Sequence, residues 1–360
     1  MTIDIFSQRE LLEIRRDMRL AAPTDYWRRR FFGAAHFSQN LAIDFGDITD
    51  TRAMAPFAQP SHMGKPIVKE KGASVQRFQP GYIKLLDSVR PQDATTLTPE
   101  EVLTGDRLDL QTRFDLRTAE VSRQHMEAIQ RTWDWMCARA IIDGAVTVKY
   151  DQEQGLPNPE VTITFGRDAN LTVVGVDWSS AAADILGDLG VWVTRARKAK
   201  FGAIPTDIIV GSDVAPIFSK NTGLKALLST QIRGQEGTNF NLGVQSAGQW
   251  TNAPSYIGSI AGVAGNLNIW TYSDQQMDDA GNMIDVLAPK DIIMLGGDPG
   301  GMMAYGAIYD VKTIGGNIRT DIFQKQYEEE NPSSIQMLTQ SAPLPIVRYP
   351  NRTFKATVLP

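Results

Sequence analysis

Asp106–Asp143 reads DRLDLQTRFDLRTAEVSRQHMEAIQRTWDWMCARAIID and contains neither proline nor glycine. Apolar residues recur three or four apart along it: Leu110, Phe114, Val121, Ile129, Met136 and Ala140. A second stripe passes through Leu116, Ala119, Met126, Trp133 and Cys137. This spacing predicts one long helix with a wide apolar face. At 1.5 Å per residue such a helix would span roughly 50 Å, more than a compact domain needs. It reads as a spine with other elements hung on either side. A core helix broken near its middle has the same composition, and periodicity alone does not separate the two. Gly144 ends the pattern, and a β-type run, Ala145–Tyr150, follows at once.

Around this stretch, 360 residues with 42% hydrophobic content suffice for one large or two ordinary domains. Lys and Arg number 36 against 41 Asp and Glu, a net charge of -5. That balance argues against a nucleic-acid grip driven by overall charge. The single cysteine, Cys137, excludes an internal disulfide, fits a reducing compartment, and sits in the apolar stripe as a small buried residue. The N-terminus carries Asp4, Glu10 and Glu13 and lacks a signal-peptide apolar core. No apolar run is long enough to span a membrane.

Upstream, Ser7 and Glu10 suit a capping box for a helix that Pro23 stops. Tyr26, Trp27, Phe31 and Phe32 then surround Arg28, Arg29 and Arg30. Nucleic-acid contact is one reading of this cluster; a short helix docking its aromatics on a neighbour is preferred. Residues 33–60 carry turn residues and no helical period, so they predict an extended arm with short strands. Two β-prone runs, Ile67–Lys71 and Val75–Lys84, flank Gly72-Ala73-Ser74 and predict a long, charged hairpin. A lone two-stranded hairpin is marginal in water, so this one needs support from another element or subunit. Thr98, Pro99 and Glu101 mark the start of a short helix that Gly105 closes.

Downstream, Ala145–Tyr150 and Glu160–Phe165 flank a turn-rich link and form a second hairpin. Ser179 or Ser180 opens a helix to about Lys200, with Ile185, Leu189, Trp192, Val193 and Ala196 on one face. Arg195, Arg197, Lys198 and Lys200 gather in its last turns, where they suit the helix dipole. Thr206–Val210 is a buried strand, and Ser212 and Asp213 cap a further helix. Residues 231–255 read as a loop. Strands follow at Tyr256–Val263, Leu267–Tyr272, Met283–Leu287 and Asp291–Leu295, then glycine-rich turns from Gly296. Pro343, Pro345 and Pro350 confine the closing strands to edges or bulges.

The search for chemistry is mostly negative. His36, His62 and His125 are scattered, and no HExxH or paired-cysteine pattern supports a metal site. No serine elbow is present, because Gly243 precedes Ser246 one place too early. The Gly296–Gly301 run lacks the Lys and Ser/Thr of a phosphate loop. Glu328, Glu329 and Glu330 lack calcium-loop spacing and read as a solvated loop. No metal, cofactor or catalytic residue is therefore assigned.

Three stretches carry a family resemblance. Gly72–Pro91 (GASVQRFQPGYIKLLDSVRP) resembles a G-x-S…F-x-PGY-x-K…V-x-P pattern. The spine has an Arg-rich start and a following strand, and QSAPLPI (Gln340–Ile346) precedes a trailing strand. Together with the element order, these resemble the lambda-type phage major capsid protein family, often called capsid protein E, which has the Hong Kong 97 (HK-97) capsid fold. The resemblance runs from about residue 25 to the end; residues 1–20 and 231–254 show no match.

The resemblance implies an α+β fold: an N-terminal arm (1–60), an E-loop hairpin (61–95), a peripheral domain with the spine (96–170), an axial α/β domain with returning strands (171–325) and C-terminal strands (326–360). It implies a shell subunit that forms hexamers and pentamers around double-stranded DNA, with weak non-specific contact to it. It also implies a scaffolding protein, a portal and a decoration protein at the three-fold positions. No membrane partner is implied. The E-loop would reach the next subunit through Lys69, Lys71, Val75, Arg77, Phe78, Pro80, Gly81, Tyr82 and Lys84. Phe114, Val121, Met126, Ile129, Trp133 and Met136 would be the packing face of the spine. Lys65, Lys69, Lys71 and Lys84 invite comparison with the covalent links of a related branch, but the lambda-type branch implies none. The alternatives are an encapsulin-type compartment enclosing a cargo enzyme, and an enzyme with an unrecognised carboxylate site.

Overall fold

The computed structural model describes residues 25–40, 42–47, 74–96, 108–149, 160–224, 240–241, 254–261, 265–278, 281–311 and 319–360. The predicted capping-box helix before Pro23, the strand Ile67–Lys71 and the helix at Thr98–Gly105 lie outside them.

The spine is one unbroken helix, Leu110–Ile142, of 33 residues. It begins after an extended Asp109 and stops where Gly144 takes a positive φ of 68°. Phe114, Val121, Met126, Ile129, Trp133 and Met136 are all buried along it. Leu110 and Leu116 from the predicted stripes are instead 58% and 49% exposed. Near its start the helix is covered on one side only. There Phe114 and Val121 meet Val89, Ala94, Ile335 and Met337 in a small cluster. From Met126 onward the coverage is broader. Trp27, Phe31 and Phe32 of the N-terminal segment and Met303, Tyr305 and Val347 close over the helix.

A second core lies within the α/β half. Its seven-stranded sheet has the order Thr172–Val173, Thr353–Thr357, Asp291–Leu295, Asp207–Val210, Asn266–Thr271, Ser255–Ala261, Phe240–Asn241. The central strands Asp291–Leu295 and Asp207–Val210 are almost wholly buried, as their unbroken Ile/Val/Met/Leu content requires. The helix Ile185–Lys198 buries Ile185, Leu189, Trp192, Val193 and Ala196 against them. Trp192 stacks on Trp178 at 5.4 Å and on Phe354 at 5.5 Å between ring centroids.

Asp184, not Ser179 or Ser180, caps that helix, its side chain accepting from the Gly187 N–H. The buried Trp178 explains the delay. Its backbone N–H donates to the Val358 carbonyl at 2.8 Å and its indole N–H to Asp188 at 2.8 Å, so the chain needs a turn before helix can begin. The next helix, Ala215–Lys220, likewise has no side-chain cap from Ser212 or Asp213.

Two smaller sheets join the halves. Gly301–Tyr305 runs parallel to Ala34–Phe37 and antiparallel to Pro343–Val347. This strand lies inside the stretch predicted as glycine-rich turns; only Gly297 and Gly300, both at φ 67°, make the turn. Pro343 and Pro345 sit on an edge strand, where a missing N–H costs least. Phe323–Glu330, Ser333–Ser341 and Ile83–Val89 form an antiparallel sheet beside the spine. Glu328–Glu330 therefore end a strand rather than forming a loop, though their side chains face solvent. The expected boundary between residues 325 and 326 falls inside the strand Phe323–Glu330. The last strand, Thr353–Thr357, belongs to the seven-stranded sheet.

Candidate assembly interface

The E-loop stretch divides at Pro80-Gly81. The sequence predicts one strand over Val75–Lys84, but the structure has two, Ser74–Phe78 and Ile83–Val89. Proline cannot donate to a ladder, and the two pieces pair with different partners. Ser74–Phe78 runs antiparallel to Ile43–Asp47 of the arm, from Ile43↔Phe78 to Asp47↔Ser74. Ile83–Val89 pairs with Ser333–Ser341.

The ribbon formed by the first pair is rooted at one end. Ile43 is buried with Ile163, Ala304, Leu344 and Ile346, and Phe78 packs against this group. Pro80 and Gly81 are buried, and a Cβ on Gly81 would come within 2.9 Å of a Val148 methyl. The Tyr82 hydroxyl donates to the Gln340 side-chain carbonyl, and burial raises its pKa. Pro80, Gly81 and Tyr82 thus root the ribbon within the chain. Lys84 pairs with Gln340 through the backbone, and its side chain is exposed. Arg77 is also exposed. Val75 lies opposite Gly46 in the ribbon. Lys69 and Lys71 lie outside the described residues.

The sheet behind this root is pinned to the spine by a polar network. His125 is 3% exposed; its Nε2 is 2.7 Å from Asp87 and its Nδ1 2.9 Å from Thr339. Gln324 bridges Thr339 and Ser122. His125 is a packing histidine, as expected, but its partners come from strands 38 and 214 positions away. The one sequence signal was Thr118, Ser122 and His125 recurring on the buried face of the helix, where polar side chains need partners.

The basic-aromatic cluster resolves as a docked helix, Tyr26–Phe31. Trp27 is fully buried, and Arg28 pairs with Asp25 while lying 5.2 Å from the Trp133 ring centroid. Arg30 pairs with Asp207 at 3.3 Å and donates to the Tyr26 hydroxyl. These side chains are engaged within the chain and do not form an open nucleic-acid site. Beneath them the buried Cys137 thiol is pushed well up in pKa by desolvation.

On the opposite face of the spine, Arg123 pairs with Glu120 and Glu127, and Arg131 with Glu127. Such exposed helix pairs contribute little stability individually. Among the described residues, no three acidic, histidine or cysteine side chains are grouped to hold a metal ion. No described helix is long and apolar enough to cross a membrane.

Comparison with known proteins places these features. No curated protein matches the sequence. The crystal structure named for the capsid protein of a prophage of Escherichia coli CFT073 superimposes with a TM-score of 0.69, covering 99% of each chain at 15% identity. A phage-related protein from Bordetella bronchiseptica RB50 gives 0.49 at 11% identity, covering 99% of this chain and 98% of that one. An encapsulin from Synechococcus elongatus PCC 7942 gives 0.43 at 10% identity, covering 100% of this chain and 92% of that one. The fold is that of HK-97-like capsid proteins. The model of the phage major capsid protein E family matches residues 9–358, which is nearly the whole chain. A structural shell protein rather than an enzyme, the chain belongs to the phage major capsid protein E family.

Proposed function

We propose that this chain is the major shell subunit of a tailed phage, closing into hexamers and pentamers around double-stranded DNA. The observation that carries the reading is the family match across residues 9–358. The ribbon Ile43–Asp47/Ser74–Phe78 supports it. A two-stranded ribbon is marginal alone, and this one is rooted at the end where Ile43 meets Phe78. The reading gives its outer part to a neighbouring subunit, and the contact residues of the whole stretch are Lys69, Lys71, Val75, Arg77, Phe78, Pro80, Gly81, Tyr82 and Lys84. Assembly in the host cytoplasm follows, with a scaffolding protein, a portal and a three-fold decoration protein as partners. Electron microscopy of the purified protein tests it. Closed icosahedral particles are expected, empty of a cargo enzyme. Particles that consistently co-purify one enzyme would make the chain a compartment shell. Monomers under all assembly conditions would sink both.

A further inference from the structure

Five cations at one junction have no acidic partner among the described ion pairs. Arg195, Arg197 and Lys198 lie in the last turn of the helix Ile185–Lys198, with Lys200 just beyond it. Arg348 follows the strand Pro343–Val347, nearly 150 positions later, and all five side chains are exposed. The helix dipole accounts for cations at a helix C-terminus. It does not account for Arg348, which directly precedes Tyr349, the ring that meets Phe201, and whose guanidinium lies 3.6 Å from the Met302 sulfur.

The two chain segments are locked together. The Asn351 side-chain amide donates to the Lys200 carbonyl at 2.9 Å. The Phe201 and Tyr349 rings meet at 6.2 Å between centroids. Phe201 holds a positive φ of 56°, a conformation an ordinary side chain adopts only when its surroundings impose it. Arg352 lies 4.3 Å from the Tyr349 ring and donates to the Asp298 carbonyl at 2.6 Å, while Lys200 lies 5.4 Å from the Phe201 ring. Two carboxylates lie nearby. Asp168 accepts from the Asn170 N–H, and Asp298 from the Gly300 N–H. Set against five cations, these two acidic side chains leave the patch a positive excess on a chain of net charge -5.

We propose that this patch, framed by the Phe201–Tyr349 ring pair, is the surface through which the subunit touches the phosphate backbone of duplex nucleic acid. Several fixed cations spread over two segments suit a partner with repeated negative charge. A single carboxylate would be held by one arginine as a bidentate pair. The contact reads no bases, because phosphate contacts carry no sequence information. It is weak for one subunit at physiological salt and is multiplied across a shell. The identity of the duplex as packaged genome rests on the shell reading above; the patch itself does not.

The test is fluorescence anisotropy of a 24-base-pair duplex with the unassembled full-length chain across a salt series. Each phosphate neutralised adds about -0.9 to the slope of log affinity against log salt, so five cations set a ceiling near -4.5. The wild type is expected to show a slope of about -3 or steeper. The exposed quadruple variant Arg195→Gln/Lys198→Gln/Lys200→Gln/Arg348→Gln should lose most of that slope and at least tenfold in low-salt affinity, with an unchanged circular dichroism spectrum. Arg123→Gln/Arg131→Gln on the spine should behave as wild type. Equal binding by the quadruple variant, or no binding by the wild type at low salt, overturns the proposal. So does a peptide spanning Gln326–Glu330 binding the patch where duplex does not, which would make it a contact between subunits. Particle formation, read separately by electron microscopy, reports on the shell reading alone.

Discussion

Asp134 of the spine helix accepts a hydrogen bond from the backbone N–H of Arg28 at 2.9 Å, across 106 positions of sequence. The Trp27 N–H also faces this carboxylate. A side chain of one helix thereby caps the start of another, Tyr26–Phe31, whose own preceding residue makes no side-chain cap. Docking of the N-terminal segment is thus written into the spine.

That arrangement has a pH signature. Desolvation, assisted by the neighbouring Asp25 and Asp274 and opposed by the two N–H donors, pushes the Asp134 pKa up to about 7. Arg28, the cation beside it, is held by Asp25. An unfolded aspartate titrates near 3.9, so the folded state holds the extra proton between about pH 4 and 7. The contribution of this group to stability is therefore complete below about pH 4 and lost as pH rises to about 7, with no further change above. Its size is on the order of a few kcal/mol. Asp134→Asn keeps an acceptor for the N–H groups and removes the charge. Thermal melts from pH 5 to 8 should show the wild type losing ground against this variant. Parallel curves would refute the assignment.

Trp133 is 1% exposed and meets Tyr305 edge-on at 5.4 Å. Trp133→Ala removes a large side chain from the main core and should cost about 3–5 kcal/mol. The indole N–H has no hydrogen-bond partner among the described residues, so Trp133→Phe forfeits packing but none of the described hydrogen bonds. It should cost less than half as much in chemical denaturation. Equal costs would show that the site collapses around either replacement.

Gly81 meets Val148 so closely that Gly81→Ala would place a methyl 2.9 Å from a Val148 methyl. β-branching restricts how the half-buried Val148 side chain can turn away, so a loss of about 1–3 kcal/mol is expected. Val148→Ala in the same chain should restore part of it. A double variant no better than the sum of the single ones would place the strain elsewhere.

Asp47 and Ser74 are cross-strand partners at the far end of the described ribbon. Replacing residues 48–73 with Asn-Gly should therefore close a two-residue hairpin without disturbing Pro80–Val89. Sedimentation and circular dichroism should find a folded, soluble subunit that forms no stable particles. Normal particles from this variant would remove the segment from the intersubunit contact. A longer replacement reaching Lys84 would confuse two effects, because it also removes Pro80–Tyr82 and the first two residues of the strand that pairs with Ser333–Ser341.

Cys137 is fully buried, and burial raises its thiol pKa well above the ordinary value. Thiolate is the reactive form. The native protein should resist a disulfide-exchange reagent and react with one equivalent once denatured. Fast native labelling would mean that the N-terminal segment opens readily over the spine.

The spine was legible in the sequence because helical periodicity is local: three or four residues suffice to set each turn, and Phe114, Val121, Met126, Ile129, Trp133 and Met136 lie buried on its face. The apolar face of Ile185–Lys198 and the hairpin Ala145–Lys149/Glu160–Thr164 were legible for the same reason. So were the edge placement of the proline-rich strand and the docking of Trp27, Phe31 and Phe32, since missing donors and aromatic area constrain a residue wherever it lies. Only the tertiary structure decided which strands meet. Ile83–Val89 joins Ser333–Ser341, Gly301–Tyr305 joins Ala34–Phe37, and Thr353–Thr357 enters the seven-stranded sheet. It also set Pro80, Gly81 and Tyr82 at the root of the ribbon, and it set the Asp184 cap, the His125 network and the Asp134 cap. These depend on groups far apart in the chain. A backbone N–H or a carboxylate carries no mark in sequence of the distant partner that satisfies it, and that partner is chosen only when the whole chain packs.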